Sequence, residues 1–165
     1  MLLPALPNSG ADYTRGILGD LIDADAGAGR ILACTLAAHS IGAVDQIYVH
    51  AKVAIVDDTW LTVGSANLNE HSLFNDTEVN IVTHDPELAK RTRLRLLSEH
   101  LELPIEAIDR DPVAVIDELW DTISKDQRAR RDDGRPLTHR LLRLNHVSRR
   151  SSRLLGPLTG LIVDG

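Results

Sequence analysis

Residues 47–67 read IYVHAKVAIVDDTWLTVGSAN and hold His50, Lys52, Asp57, Gly64, Ser65 and Asn67. Most other positions in the stretch are apolar. On a strand, side chains alternate between faces, so His50 and Lys52, two apart, project as neighbours from one face. That places an imidazole and an ammonium beside one cluster of phosphate oxygens. The ammonium supplies charge to a phosphoryl group, and the imidazole serves as nucleophile or proton donor. Gly64 lets the backbone approach closely. Ser65 and Asn67 then return a hydroxyl and an amide to the same end of the sheet. No metal cage is expected, because His50 has no second His or Cys at ligand spacing and no carboxylates cluster around it. Taken singly the residues are ordinary: a lone His on an apolar strand is usually a core residue, and a lone Lys usually reaches for solvent. Their joint arrangement is what points to chemistry.

The elements that must position these groups follow from the surrounding pattern. Residues 1–6 read as the end of a strand with nothing before it, so the fold is expected to be incomplete at its N-terminus. Asp12 is a plausible helix N-cap. Ile17, Leu18, Leu21 and Ile22 follow at helical spacing, until residues 23–29 break the helix. Gly27, Gly29 and Arg30 lack the full phosphate-loop fingerprint, which favours a plain turn. Residues 30–38 are apolar and fit either a strand or a short helix. Residues 46–56 are expected to form an inner strand with apolar residues on both faces. Asp57 and Asp58 make the turn, and residues 59–63 the returning strand. A polar loop over residues 67–76 leads to a third strand at 77–83. Two helices then open with Asp-Pro, at Asp85-Pro86 and Asp111-Pro112, each an N-cap before a first-turn proline. Leu88, Leu94, Leu97 and Leu101 stripe the first. Val115, Ile116, Leu119, Trp120 and Ile123 stripe the second. Residues 132–136 read as a linker, residues 137–147 as a short helix, and the final LLGPLTGLIVDG as a strand. The fold class is therefore α/β, a mixed central β-sheet flanked by helices.

Composition bounds the rest. A chain of 165 residues with 43% hydrophobic and 25% charged residues can bury a core. No apolar run approaches the ~20 residues of a membrane span. The lone Cys34 excludes an internal disulfide and suits a reducing compartment, so the expected location is cytoplasmic. The net charge of −6 conceals an asymmetry: 10 of the 18 basic residues lie between Lys125 and Arg153. Such a tail can meet phosphate groups of lipid or nucleic acid, or simply be a solvated end.

His50-x-Lys52-x(4)-Asp57-x(6)-Gly64-Ser65-x-Asn67 resembles the HKD signature of the phospholipase D superfamily, filled without a gap. The resemblance runs from about Leu2 to Leu103. With Leu68 through Ser72 and Glu78, it looks most like the C-terminal HKD half of a two-motif phospholipase D. It divides the chain into an HKD domain over residues 1–103 and a helical, basic extension over 104–165. It implies a site in which two HKD motifs meet. One His attacks phosphorus to form a phosphohistidine; the other protonates the leaving alcohol and then activates water or an acceptor alcohol. His50 would be the general acid/base of a C-terminal motif, or either partner of a symmetric pair. Lys52 and Asn67 would hold phosphate oxygens with Ser65 close by, and Glu78 would orient the His50 imidazole. No metal or other cofactor is implied. His71 stands where the family often has a basic residue, and is read as part of the loop. Asp57 is read as structural. Seven residues at ~3.3 Å put it about 23 Å from His50 along an extended strand, so it braces the hairpin with Gly64.

The chain carries one HKD motif, since no other His is followed by Lys two residues later. The missing half must then come from a homodimer partner or from a preceding half of a longer enzyme. The expected function is a phosphodiester hydrolase or phosphatidyltransferase acting on phospholipid, with a membrane surface as a further partner. Two alternatives stand beside it: a homodimeric HKD nuclease whose basic tail holds nucleic acid, and a catalytically silent fragment acting as a binding module.

Overall fold

A computed structural model describes residues 1–3, 11–40, 43–68 and 71–144. The fold is mixed α/β, and the described residues form six strands and their helices in two compact units. The expected α/β class holds, its strands arranged among the described residues as two antiparallel sheets of three strands each.

One unit comprises Met1–Val49 and Ile123–Gly165. Helix α1 (Ala11–Ala24) begins one residue before Asp12, so Asp12 lies inside the helix and not at its cap. The helix ends where Ala26, Gly27 and Gly29 take positive φ. The buried Asp25 carboxylate ties this turn together, accepting from the Arg30 backbone N–H at 3.0 Å and from its Nε at 2.8 Å. The sequence leaves residues 30–38 open between strand and helix, and they resolve as strand β1 (Cys34–Ser40). β1 pairs with β2 (Ala43–Ile47) on one side and with β6 (Leu141–Arg143) on the other. Leu2 forms only an isolated parallel bridge to Cys34. The helix expected at 137–147 is overridden over its described part. Leu141 and Leu142 are both buried as β6 pairs with β1, and Ala37, Leu137 and Leu142 form a core cluster. The buried Gln127 amide anchors the bend before β6, accepting from the N–H groups of Thr138 and His139 at 2.8 and 3.1 Å. Residues 145–147 and the C-terminal strand expected after them lie outside the described residues.

The other unit is His50–Thr122. Its sheet runs in the order β3 (Val53–Val56), β4 (Trp60–Gly64), β5 (Asn80–Thr83). The long inner strand expected over 46–56 is broken: residues 48–52 are irregular, and β3 is an edge strand. The hairpin turn sits at Asp57-Asp58, where both residues take positive φ (51° and 52°) and Thr59 N–H donates to Val56 O at 3.0 Å. Positive φ at both central positions is the type I′ pattern that matches strand twist, and Asp tolerates it better than most residues. Asp58 also accepts a two-pronged ion pair from Arg93 on helix α2 (Pro86–Leu101), at 2.6 and 2.8 Å. The pair pins the turn to the helix. Asp85 caps α2 by accepting from Glu87 and Leu88 N–H, and Ala89, Leu94, Leu97 and Leu101 form its buried stripe. Helix α3 (Ile105–Ile108) follows. Asp111 then caps the short α4 (Pro112–Ala114), which runs through a π-helical stretch into α5 (Asp121–Asp132). Val115 and Trp120 are buried there.

Candidate active site

The register of the second sheet brings Lys52, Gly64 and Ser65 to one end of it. Val53 pairs with Val63, and Gly64 pairs with Asn80. One step beyond Val53, the Lys52 carbonyl accepts from Gly64 N–H at 3.1 Å. Lys52, Gly64 and Asn80 thus lie in one row across the three chains. The middle member has no side chain, and the Asn80 amide occupies the space above it. A Cβ on residue 64 would collide with Asn80 Oδ1 and the Val79 carbonyl oxygen. The Asn80 Oδ1 so placed accepts from Ala66 N–H at 3.3 Å, steadying the segment that carries Asn67.

Beyond Gly64 the two chains diverge, and Ser65 closes the gap. Its N–H donates to Val79 O at 3.0 Å, and its Oγ accepts from Val79 N–H at 3.0 Å in place of a backbone carbonyl. The same hydroxyl donates its proton to Glu78. Glu78 precedes β5 instead of lying within the third strand as expected. Its carboxyl is held below the usual glutamate range by hydrogen bonds from Ser65 and Ser72, with Lys52 adding attraction. Ser65, Ser72, Glu78 and Lys52 therefore form one charged and hydrogen-bonded group.

His50 is exposed, two residues before Lys52 in the segment that leads into β3. Asn67 is exposed, two residues beyond Ser65. Asp57 lies in the turn at the opposite end of the hairpin from Gly64. Two residues here have no role in the sequence reading: Ser72 of this group and Asn80 beside it. Asn80 has a sequence signal: it follows Glu78 by two, an amide in an otherwise apolar strand. Ser72 has none, because the residues around it show no strand or helix period. Among the described residues no group of three or more His, Cys, Asp or Glu could hold a metal ion.

Residues 22–97 match the family described as "Cardiolipin synthase, PLD-like domain". They hold every motif position named above, and this segment of the chain matches a phospholipase D-like domain. It is similar to phospholipase D zeta 1 of Arabidopsis thaliana, 36% identical over 104 residues that cover 50% of this chain and 10% of that protein. It is 33% identical to phospholipase D alpha 3 of the same plant over 110 residues, 53% of this chain and 13% of the relative. With phospholipase D1 of Saccharomyces cerevisiae it shares 35% identity over 82 residues, 39% of this chain and 5% of the relative. The chain thus spans a small part of the length of these relatives. No helix among the described residues is long and apolar enough to cross a membrane.

Proposed function

We propose that this chain supplies one half of a phospholipase D-type active site, hydrolysing or transferring the phosphodiester of a phospholipid. The observation that carries the reading is the meeting of Lys52, Ser65 and Glu78 at the Gly64 end of the sheet, inside the segment of family likeness. In this reading one imidazole attacks phosphorus and the P–O bond to the leaving alcohol breaks. The second imidazole gives that alcohol its proton. It then takes a proton from water or an acceptor alcohol, whose oxygen attacks the phosphohistidine and frees the first imidazole. His50 is one of the two imidazoles, oriented by Glu78. Lys52 and Asn67 hold the non-bridging oxygens. The second half comes from a second copy or from a preceding half of a longer chain.

Exposed apolar surface supports the need for another half. Val53, Val63 and Ile81 are cross-strand neighbours on one face, at 38%, 45% and 74% exposure, while Val56 and Val82 on the other face are 50% and 51% exposed. Such a sheet calls for a cover. The nuclease alternative draws less support. Arg128, Arg130 and Arg135 are ion-paired with Asp132, Asp126 and Asp133, which lowers the net charge this segment offers to a polyanion. The enzyme would work from the cytoplasm at a membrane surface.

The test combines solution mass with turnover of phosphatidylcholine vesicles, a chromogenic phosphodiester and single-stranded DNA. The expected result is a dimer, or a longer chain with two motifs, that cleaves lipid and loses turnover with His50→Ala. A monomer that cleaves none of the three makes the isolated chain a silent module. Cleavage of DNA alone makes it a nuclease.

A further inference from the structure

Most hydrogen-bond donors at the Gly64 end of the second sheet are already spent. Gly64 N–H goes to Lys52 O, Ser65 N–H to Val79 O, and Ala66 N–H to Asn80 Oδ1. Val79 N–H goes to Ser65 Oγ. A serine hydroxyl has one proton, and Ser65 gives it to Glu78. Neither this backbone nor the Ser65 hydroxyl can donate to an incoming anion without breaking a bond already made. An oxyanion at this end must be met by other side chains. Lys52 and Asn67 are two of them, and Asn80 is a third.

Asn80 is exposed, yet its amide is already oriented. Only the oxygen of an amide can accept, and here it accepts from Ala66 N–H at 3.3 Å. The NH2 group is thereby turned away from that backbone, with two donors that no described residue takes up. The amide also leans over Gly64, where a Cβ would lie 2.5 Å from Asn80 Cγ. Lys52 and Asn80 share a row, and so a face of the sheet, with no side chain on the strand between them. Two strand spacings of ~4.8 Å put their Cα atoms about 10 Å apart, and Asn80 leans into that gap. We propose that Asn80 is a further anion-binding residue of the half-site: its Nδ2, aimed by the bond from Ala66 N–H, donates to a non-bridging phosphoryl oxygen that Lys52 holds across the bare Gly64. Ser65 then braces Glu78 and the start of β5 and is not itself a phosphate ligand. Gly64 keeps the space between the two ligands open. What is bound rests on the phosphodiester reading given above; the aim of the amide does not.

The experiment follows side-chain NH2 signals in the 15N-labelled full chain, the Asn80 pair being assigned by its loss in Asn80→Asp. Inorganic phosphate, dimethyl phosphate and monomeric dihexanoyl phosphatidylcholine are added in turn. The Asn80 and Asn67 pairs are expected to shift together, on one saturation curve for each probe. Asn80→Asp keeps the size and the acceptor for Ala66 N–H but replaces the donor with a carboxylate oxygen. It should weaken binding by roughly tenfold or more, the worth of a hydrogen bond to a charged group. Val82→Asp, exposed on the same face of β5, adds the same charge without removing a donor and should weaken binding clearly less. Equal losses in the two variants, or an Asn80 pair that stays still while Asn67 shifts, overturn the proposal and leave the phosphodiester reading standing. If Asn80→Asp does not fold, judged by its amide spectrum, the wild-type shifts decide in the same way, with the pair assigned by Asn80→Ser. Shifts with both phosphodiesters support the site as one for ester-bound phosphate. Shifts with inorganic phosphate alone keep Asn80 as an anion ligand and overturn the phosphodiester reading. So does a shifting Asn80 in a protein that, given its second half, cleaves no phosphodiester. No shift at either amide with any probe overturns both.

Discussion

Gly64 is the position where a single methyl tests the whole row. Its φ is not in the left-handed region, so alanine can adopt the backbone and the issue is space alone. An added Cβ would collide with Asn80 Oδ1 and Val79 O, and would lie 2.5 Å from Asn80 Cγ. An optimal carbon–carbon contact is about 3.5–4.0 Å. Rotating Asn80 away relieves two of these clashes but gives up its hydrogen bond with Ala66 N–H, about 1 kcal/mol. The clash with Val79 O is with backbone, and relieving it opens the chain spacing where Ser65 N–H donates to that oxygen. Overpacking of this kind costs about 1–3 kcal/mol, and replacing Gly returns about 0.4–1 kcal/mol through the unfolded chain. The net expectation for Gly64→Ala is a loss of about 2 kcal/mol, or roughly 4–8 °C in Tm for a chain of this size. Urea and thermal unfolding measure it. Gly64→Ala/Asn80→Ala removes the side-chain clash only, so it should recover less than half of the loss. A Gly64→Ala protein as stable as wild type, or full rescue by Asn80→Ala, refutes the close approach described here.

The two aspartates of the turn separate by partner. Asp58→Asn keeps a residue that accepts positive φ but strips the charge from Arg93, a largely buried side chain, and should cost about 2 kcal/mol. Asp57→Asn, at the motif's own letter, should change stability by less than about 0.5 kcal/mol in the same unfolding assay. Asp85→Ala removes the acceptor for Glu87 and Leu88 N–H and should cost about 1 kcal/mol, read by urea unfolding. The Glu78 carboxyl is lowered in the folded protein, so its contribution to stability is present above the ordinary glutamate range and is lost as pH falls through the lowered value. Unfolding measured against pH should therefore show an acid loss in wild type that is reduced in Glu78→Gln.

The helices were legible because their signals are local. Asp85-Pro86 and Asp111-Pro112 announce their own caps, and the spacing of Leu94, Leu97 and Leu101 needs no tertiary context. The hairpin was legible from Asp57-Asp58 between two apolar runs. The extent of its strands was not. Apolar residues continue through Tyr48 and Val49, but a ladder needs a partner, and the register of β4 ends the pairing close to Lys52. Residues 137–144 failed for a related reason. Their short pattern suits a helix, yet the Gln127 amide holds a bend at 138–140 and pairing with β1 draws Leu141–Arg143 into a strand. At the site, the motif spacing gave the positions of Lys52 and Ser65 and the family resemblance that of Glu78, while Ser72 enters through burial in a turn that has no sequence period.

Under the proposed function, the charges of the group explain why one copy would fall short of a catalyst. Lys52 brings one positive charge and Glu78, held ionised, one negative. This core of the half-site is neutral toward a phosphodiester, which is itself a monoanion. One imidazole, moreover, cannot be a neutral nucleophile and a protonated acid in the same step. Two halves facing one phosphorus hold two ammoniums, two carboxylates, one imidazole and one imidazolium. Their sum is one positive charge, matching the substrate. If the second half is a second copy, activity must depend on both chains of a dimer. Wild-type protein exchanged with His50→Ala at a fixed total concentration should then lose activity as the square of the wild-type fraction. An equal mixture would retain about a quarter of the full rate, against about half if each chain worked alone. Subunit exchange followed by a turnover assay draws that curve, and a straight line would refute the shared site.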